Sequence, residues 1–148
     1  MDNYAKYPLS GCVNDITAVE EYLRDRIPET RLQLVKLIDA ETTRQKIIDG
    51  FTTHLCQAGS EDVALFYYAG HGSQGCAPEE HWNMEPDRLN ETIICWDSRT
   101  EGVWDLADKE LAYLIDKVGP GRPAHGADHG LLSLGFGDQR YRCSSAAG

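Results

Sequence analysis

Positive charge is scarce in this sequence. Its 148 residues include 14 Lys and Arg but 24 Asp and Glu, so the formal net charge at pH 7 is −10. No cluster of Lys or Arg interrupts the acidic surface. Such a charge repels phosphate polymers and anionic lipid. The composition therefore argues against nucleic acid or a membrane surface as a partner.

Long apolar runs are also missing. No run approaches the roughly 20 residues that a membrane-spanning helix needs. Met1 is followed by Asp2 and Asn3, and not by the charged and then apolar stretch of a secretory leader. We therefore predict a cytosolic protein, and a chain of this length is typical of a single domain.

Closely spaced cysteine pairs are absent as well. The five cysteines are odd in number and widely spread, with no C-x-x-C pair. Neither a disulfide framework nor a zinc site is indicated. We expect buried free thiols, because an unpaired cysteine commonly behaves as a small apolar residue. The five are Cys12, Cys56, Cys76, Cys95 and Cys143.

Hydrophobic spacing predicts an α/β fold. Apolar residues recur at helical intervals over 12–27, 42–57 and 105–118, whereas 31–39, 62–70 and 91–97 have the composition of strands. An acidic loop is predicted from 72 to 90. The order of these elements is typical of an α/β sandwich with a mainly parallel sheet. Residues 119–148 are rich in glycine and show no sustained period.

The sequence Gly70-His71-Gly72 ends the apolar run at 62–70. With Gly75 it spells Gly-x-Gly-x-x-Gly, the pattern of a dinucleotide-binding loop. That loop must open into a helix, and the prolines that follow exclude one here. A histidine at the carboxyl end of a parallel strand instead lies where reacting groups gather, and the Gly72 amide can donate to an oxyanion. A hydrogen-bonded loop histidine is the competing interpretation from the residues alone.

Four motifs resemble the large-subunit region of caspase-like cysteine peptidases, especially fungal metacaspase-type members, over residues 2–118. They are GCVNDITAVEEYLRDRI, TTRQKIIDGFTTHL, DVALFYYAGHGSQ and LNETIICWD. The resemblance implies a three-layer sandwich and an endopeptidase with a Cys-His dyad. It assigns the general base and acid to His71, the oxyanion amide to Gly72, and a pocket for Arg or Lys before the cleaved bond to Asp15. The carboxylate of Asp15 also suits the dipole at a helix N-terminus.

Calcium is the one metal that the resemblance suggests, because metacaspases often need it. Acidic residues are frequent between 79 and 108, and calcium prefers clustered oxygen ligands. However, Asn90 aligns with one expected ligand, and an expected Asp-Asp pair is interrupted in the sequence DLAD at 105–108. We therefore predict a solvated acidic loop and no bound cofactor.

Two parts of the family pattern are not found. No stretch resembles the strand that carries the nucleophile, TVILDCCHSGSGT, and only DNY at 2–4 matches the end of the first strand. Shifted by one nucleotide, codons for 123–138 permit D-C-C-H-S-G-S-G-T, with the nucleophile encoded across Leu132. We therefore expect residues 1–118 to be a partial caspase-like domain, incomplete at both ends, and 119–148 to be a disordered or frame-shifted tail.

The missing nucleophile leaves three interpretations. The first is an inactive piece of a cysteine endopeptidase that acts on peptide or protein substrates, because His71 has no cysteine to activate. The second is a non-catalytic pseudopeptidase module that pairs with an intact relative. The third recruits Cys76 or Cys143 as a nucleophile, although Cys76 lies on the same predicted loop as His71.

Overall fold

The computed structural model describes residues 1–4, 8–77, 79, 83 and 88–118, together with the backbone of 133–137. Four strands form one sheet in the order β3-β2-β1-β4. Helices pack against this sheet, with α1 against β1 and α3 against β2 and β3. The expected α/β class is confirmed. The strands are β1 (Tyr67–Cys76), β2 (Leu89–Ile93), β3 (Leu106–Ala107) and β4 (Ser133–Gly137), and the helices are α1 (Cys12–Arg26), α2 (Arg44–Asp49) and α3 (Asp108–Asp116).

The expectation of a mainly parallel sheet is wrong for the described strands. β1 and β2 are antiparallel, and so are β2 and β3. Only β1 and β4 are parallel. The physical reason is that β1 is shifted relative to the strand predicted at 62–70: it begins at Tyr67 and continues to Cys76. Its second half pairs with β2 as two arms of a hairpin, so that Gly72 lies opposite Ile93.

The three predicted helices are present with slightly different bounds. α1 begins at Cys12 and ends at Arg26, one residue before the extended Ile27. The side chain of Thr43 caps α2 by accepting a hydrogen bond from the Lys46 amide at 3.3 Å. The helical path then continues as a π turn over Gly50–His54 and a 3-10 turn over Leu55–Gln57.

The strand predicted at 31–39 does not form. The backbone is extended at Leu32 and at Ile38, but between them 33–37 pair with no other strand in the described part of the chain. Alternating apolar residues favour a strand only where a neighbour supplies the ladder hydrogen bonds. The alternating pattern at 31–39 is thus that of a strand, but no partner strand for it lies among the described residues.

The Gly-His-Gly segment lies inside a strand and not at its end. β1 runs on through Gly72 and Gly75 to Cys76, so the predicted loop at 72–90 is in part a hairpin arm. His71 is the last β1 residue that pairs with β4. The three glycines of the literal dinucleotide pattern are all strand residues, which removes the turn into a helix that such a loop requires.

The core lies between the sheet and the helices. Apolar residues from β1, β2 and the helices pack into one cluster, which also includes the first residue of the chain. Within the described residues, no helix has the length and apolarity needed to cross a bilayer. The buried members are Met1, Ile47, Phe51, Tyr68, Ile93, Cys95, Leu106, Leu111 and Leu114.

Part of the segment expected to be aperiodic forms a strand. Ser133–Gly137 pair with Tyr67–His71, which makes β4 the edge of the sheet beside β1. The prediction of a disordered or frame-shifted tail over 119–148 stays a prediction. Residues 119–132 and 138–148 lie outside the described part of the chain.

Candidate active site

The Tyr4 hydroxyl binds the backbone amide of His71. The His71 amide donates to the Tyr4 hydroxyl at 2.9 Å, and that hydroxyl donates to the carbonyl of Ile94 at 3.1 Å. The rings of Tyr4 and His71 lie 4.5 Å apart at a tilt of 52°. Tyr4 therefore fixes both the backbone and one face of the His71 side chain, which is 6% exposed.

Tyr68 binds the other backbone polar group of His71. Its hydroxyl lies 2.9 Å from the carbonyl oxygen of His71 and 2.8 Å from that of Ile94, and 3.0 Å from the Tyr4 hydroxyl. Burial raises the pKa of Tyr4 and of Tyr68 above the ordinary value. Both phenols therefore remain protonated at neutral pH and act as hydrogen-bond donors.

Gly70 is required because the two phenols approach its backbone closely. A Cβ at this position would overlap the hydroxyl oxygens of Tyr68 and Tyr4. Because glycine has no Cβ, the two phenols can occupy the space beside its backbone and reach the backbone of His71. This explains the first glycine of Gly-His-Gly without a substrate.

The Gly72 amide points away from β2. The Ile94 amide donates to the His71 carbonyl at 3.0 Å, so Gly72 and Ile93 form a non-hydrogen-bonded pair of the antiparallel ladder. In such a pair the N–H groups face away from the partner strand. The Gly72 amide is therefore directed to the side of β1 on which β4 lies.

Asp15 lies in the first turn of α1, with an exposed side chain. The start of this helix is tied to the His71 peptide through the N-terminal segment. The Asp2 carboxylate accepts hydrogen bonds from the amides of Gly11, Cys12 and Val13 at 3.4, 2.8 and 3.3 Å. Asp2 and Tyr4 are two residues apart, so their Cα atoms are separated by at most about 7 Å.

Four of the five cysteines lie in the described part of the chain, and none of them is an evident nucleophile. Burial raises the pKa of Cys12, and it raises the pKa of Cys95 to about 12. The Cys56 thiol donates to the carbonyl of Thr52 at 2.8 Å. Cys76 is disulfide-bonded, which overturns both the expectation of a free thiol there and its recruitment as a nucleophile. Cys143 lies outside the described residues.

The acidic side chains near the hairpin contact protein groups. An Asp97 oxygen accepts from the Arg44 amide at 2.8 Å, and an Asp105 oxygen accepts from Thr92 and Arg99 at 3.2 and 3.0 Å. In the part of the chain that the structure describes, no three His, Cys, Asp or Glu side chains are grouped to hold a metal ion. Glu80, Glu85 and Asp87, which belong to the acidic run considered for calcium, lie outside it.

Sequence reasoning missed the residues that hold the site. Asp2, Tyr4 and Tyr68 are far from their partners along the chain, at separations of 10, 67 and 26 residues for Asp2–Cys12, Tyr4–His71 and Tyr68–Ile94. Hydrophobic periodicity carries no signal for such contacts. The only available signal is that Asp2 and Tyr4 belong to the DNY match at 2–4, and that Tyr68 precedes Gly-His-Gly by two positions.

Comparison with known proteins covers most of the chain. The family model described as "Metacaspase, peptidase C14 domain" matches residues 2–124. Metacaspase-1 of Plasmodium falciparum is 33% identical over 125 residues, which are 78% of this chain and 20% of that protein. Metacaspase-1 of Candida albicans is 34% identical over 105 residues, which are 66% of this chain and 23% of that protein.

One solved structure is also similar to this chain. The crystal structure of protein GSU0716 from Geobacter sulfurreducens superposes with a TM-score of 0.51 at 26% sequence identity, and it covers 74% of this chain and 35% of that chain. The chain thus spans about a fifth to a third of the length of the proteins that it matches. The match of the family model over residues 2–124 shows that the chain belongs to the metacaspase family of caspase-like cysteine peptidases.

Proposed function

We propose that this chain carries the general base, the oxyanion donor and the basic-residue pocket of a metacaspase-type endopeptidase, and that it does not hydrolyse peptides by itself. The three roles fall to His71, Gly72 and Asp15. Its substrates are peptides or proteins cleaved after Arg or Lys. The observation that carries the proposal is the fixed backbone of His71, whose amide and carbonyl are hydrogen-bonded to the part-buried Tyr4 and the buried Tyr68.

The surroundings of His71 support a role in proton transfer. A general base must keep one position relative to its partner thiol, and catalytic groups are held by neighbours that are themselves locked. The His71 amide and carbonyl are both hydrogen-bonded, and the Tyr4 ring packs against the imidazole. A histidine that served only to fill a loop would not need this support.

The position of Asp15 supports recognition of a basic side chain. Its carboxylate is exposed in the first turn of α1, the helix whose N-terminus Asp2 links to the segment that also bears Tyr4. A guanidinium group pairs bidentately with a carboxylate, whereas an acidic side chain is repelled by it. We also propose the caspase-like three-layer arrangement for the whole domain, because the family model matches residues 2–124.

The state of the described cysteines supports inactivity of the isolated chain. A Cys-His mechanism needs a thiolate beside the base. Among the described cysteines, two have raised pKa values, one donates into a helix and one is oxidised. The imidazole and an oxyanion donor alone at most activate water, which is far weaker.

A chimera tests the proposal. Residues 2–118 replace the matching region of Metacaspase-1 from Plasmodium falciparum, and hydrolysis is measured with fluorogenic peptides that differ only in Arg, Lys or Asp before the cleaved bond. We expect the chimera to cleave after Arg and Lys. His71→Ala should lower kcat/KM by about 10²- to 10⁴-fold, and Asp15→Asn should weaken basic substrates selectively.

Matched controls separate these roles from general damage. His54→Ala changes a histidine in the helical segment after α2, and Asp25→Asn changes an exposed carboxylate at the other end of α1. Both should leave kcat/KM unchanged. Undiminished hydrolysis by the His71→Ala chimera, or a preference for Asp, would contradict the assignment, and hydrolysis by the isolated chain would contradict its inactivity. Each chimera is first shown to unfold cooperatively.

A further inference from the structure

A buried polar cluster lies on the hairpin that β1 and β2 form. Ser73 of β1 lies opposite Thr92 of β2, and Asn90 is two positions away from Thr92 along β2. Ser73, Thr92 and Asn90 are only 5%, 8% and 7% exposed. Side chains two positions apart in a strand lie on the same face of the sheet, so Ser73 also shares its face with His71. The cluster therefore continues the candidate active site along β1.

The guanidinium group of Arg99 closes this cluster. Its Nη2 atom donates to the Ser73 hydroxyl at 2.8 Å and to a carboxylate oxygen of Asp105 at 3.0 Å. The same carboxylate oxygen accepts a hydrogen bond from the Thr92 hydroxyl at 3.2 Å. One positive charge thus joins β1, β2 and the residue that precedes β3.

The backbone of Arg99 has a conformation that is more typical of glycine. Its φ is 64°, and few residues other than glycine occupy this left-handed region. The Arg99 amide donates to the carbonyl of Val103 at 3.0 Å, which closes the loop between them. Such strain persists where the surrounding structure depends on the residue. Here the dependence is on the guanidinium group, which a glycine cannot supply.

The second acidic residue of the DLAD sequence also contacts a basic side chain. The Lys109 ammonium lies 2.8 Å from a carboxylate oxygen of Asp108. Asp105 and Asp108 are the residues between which the expected pair of calcium ligands is interrupted, and Asn90, the other aligned position, carries no charge. Both carboxylates of this sequence are therefore paired with a positive charge of the chain itself.

A calcium ion does not fit this arrangement of the described residues. Calcium binds carboxylate oxygens at about 2.3–2.6 Å. An ion on the Asp105 oxygen that Arg99 binds would lie within about 6 Å of the guanidinium nitrogen. The Asp105 side chain is 15% exposed, so water would screen little of the repulsion between the two positive charges.

We propose that the guanidinium of Arg99 takes the place of a divalent cation at this hairpin, so that the strand segment after His71 is ordered without calcium. The Oδ1 atoms of Asp105 and Asn90 are buried, and neither has a hydrogen-bond partner in the part of the chain that the structure describes. These oxygens become available to a metal ion when the guanidinium is removed. The proposal does not depend on the peptidase chemistry proposed above.

Thermal unfolding of the full chain, followed by circular dichroism, tests the proposal. The Tm of the unsubstituted chain should differ by less than about 1 °C between about 5 mM calcium and about 5 mM EDTA. Arg99→Gln removes the charge and should lower Tm in EDTA by about 3–8 °C. Calcium should restore at least about half of that loss. Arg99→Lys keeps the charge, so its Tm should not respond to calcium.

Arg24→Gln is the matched control, because Arg24 pairs with Glu20 on α1, away from the hairpin. It should create no response to calcium. Amide hydrogen exchange locates the effect, since calcium should slow exchange at 89–93 in the Arg99→Gln chain alone. If that chain is unfolded in EDTA, the return of a cooperative transition in calcium is the readout.

Four results would each overturn the proposal. They are stabilisation of the unsubstituted chain by calcium, an unchanged Tm of the Arg99→Gln chain in EDTA, a loss in that chain that calcium does not reverse, and an equal calcium response in the Arg99→Lys or Arg24→Gln chain.

Discussion

At the scale of single residues, the site is organised around the backbone of His71. The amide and carbonyl of His71 are bonded to Tyr4 and Tyr68, two phenols that burial keeps protonated. The sequence indicated His71 through the Gly-His-Gly motif, but it gave no structural reason for Gly70. The structure supplies that reason, because the phenols occupy the space of a side chain.

Gly70→Ala should destabilise the protein. The new methyl group overlaps both phenol oxygens, and relief requires the tyrosines to move and their hydrogen bonds to break. We expect a loss of about 1–3 kcal/mol in the free energy of unfolding, measured by urea denaturation. Gly75→Ala is the matched control in the same strand, since its Cβ would lie 3.8 Å from Thr92 Cγ2. Equal effects of the two substitutions would contradict the close approach at Gly70.

At the scale of secondary structure, the predicted bounds are more accurate for the helices than for the strands. α1 and α3 carry their own signal in the spacing of apolar residues, so their bounds were found to within about three residues. A strand depends on its neighbours. The alternating stretch at 31–39 has no partner among the described residues. β1 begins five residues later than the strand predicted at 62–70 and ends six residues later, because its second half pairs with β2.

The cap of α1 is also supplied from a distance. Gly11 precedes the helix with a φ of 122° and has no side chain to cap it, so Asp2 accepts from the first amides instead. Burial alone would raise the pKa of Asp2, but the bonds from Val13, Cys12 and Gly11 outweigh it and hold the pKa below 3.8. The amide of Asp2 likewise holds the pKa of Asp39 below 3.8.

These shifts predict a loss of stability in acid. A carboxylate whose pKa is lower in the folded state contributes stability above its unfolded pKa, and the contribution is lost as the pH falls through the folded value. We expect the urea concentration at the unfolding midpoint to be constant above about pH 5. It should decrease once the pH is lowered below 3.8, the ordinary pKa of an Asp carboxyl. Asp2→Asn should reduce this fall, and Asp25→Asn should not. An identical fall in the Asp2→Asn protein would show that this carboxylate is not responsible.

At the scale of the whole molecule, the first four residues connect the separate parts. The Met1 ammonium donates to the carbonyl of Ala69, and the Asp2 carboxylate caps α1 by accepting hydrogen bonds from three amides. The Tyr4 hydroxyl accepts a hydrogen bond from the amide of His71. Sequence motifs located the family and the residues proposed for catalysis. They could not reveal this linkage, because it depends on contacts between segments about 10 to 70 residues apart.

The central claim is that His71 is the base of a Cys-His pair, and the reactivity of the partner thiol tests it most directly. In the chimera described above, the rate of alkylation of the nucleophilic cysteine by iodoacetamide is measured from pH 5 to 9. A thiol beside an imidazole ionises well below its ordinary pKa of about 8.5, so alkylation should be rapid at pH 6. We predict that His71→Ala shifts the profile to higher pH and slows alkylation at pH 6 by at least about tenfold, whereas His54→Ala leaves it unchanged. An unshifted profile in the His71→Ala chimera would contradict the claim.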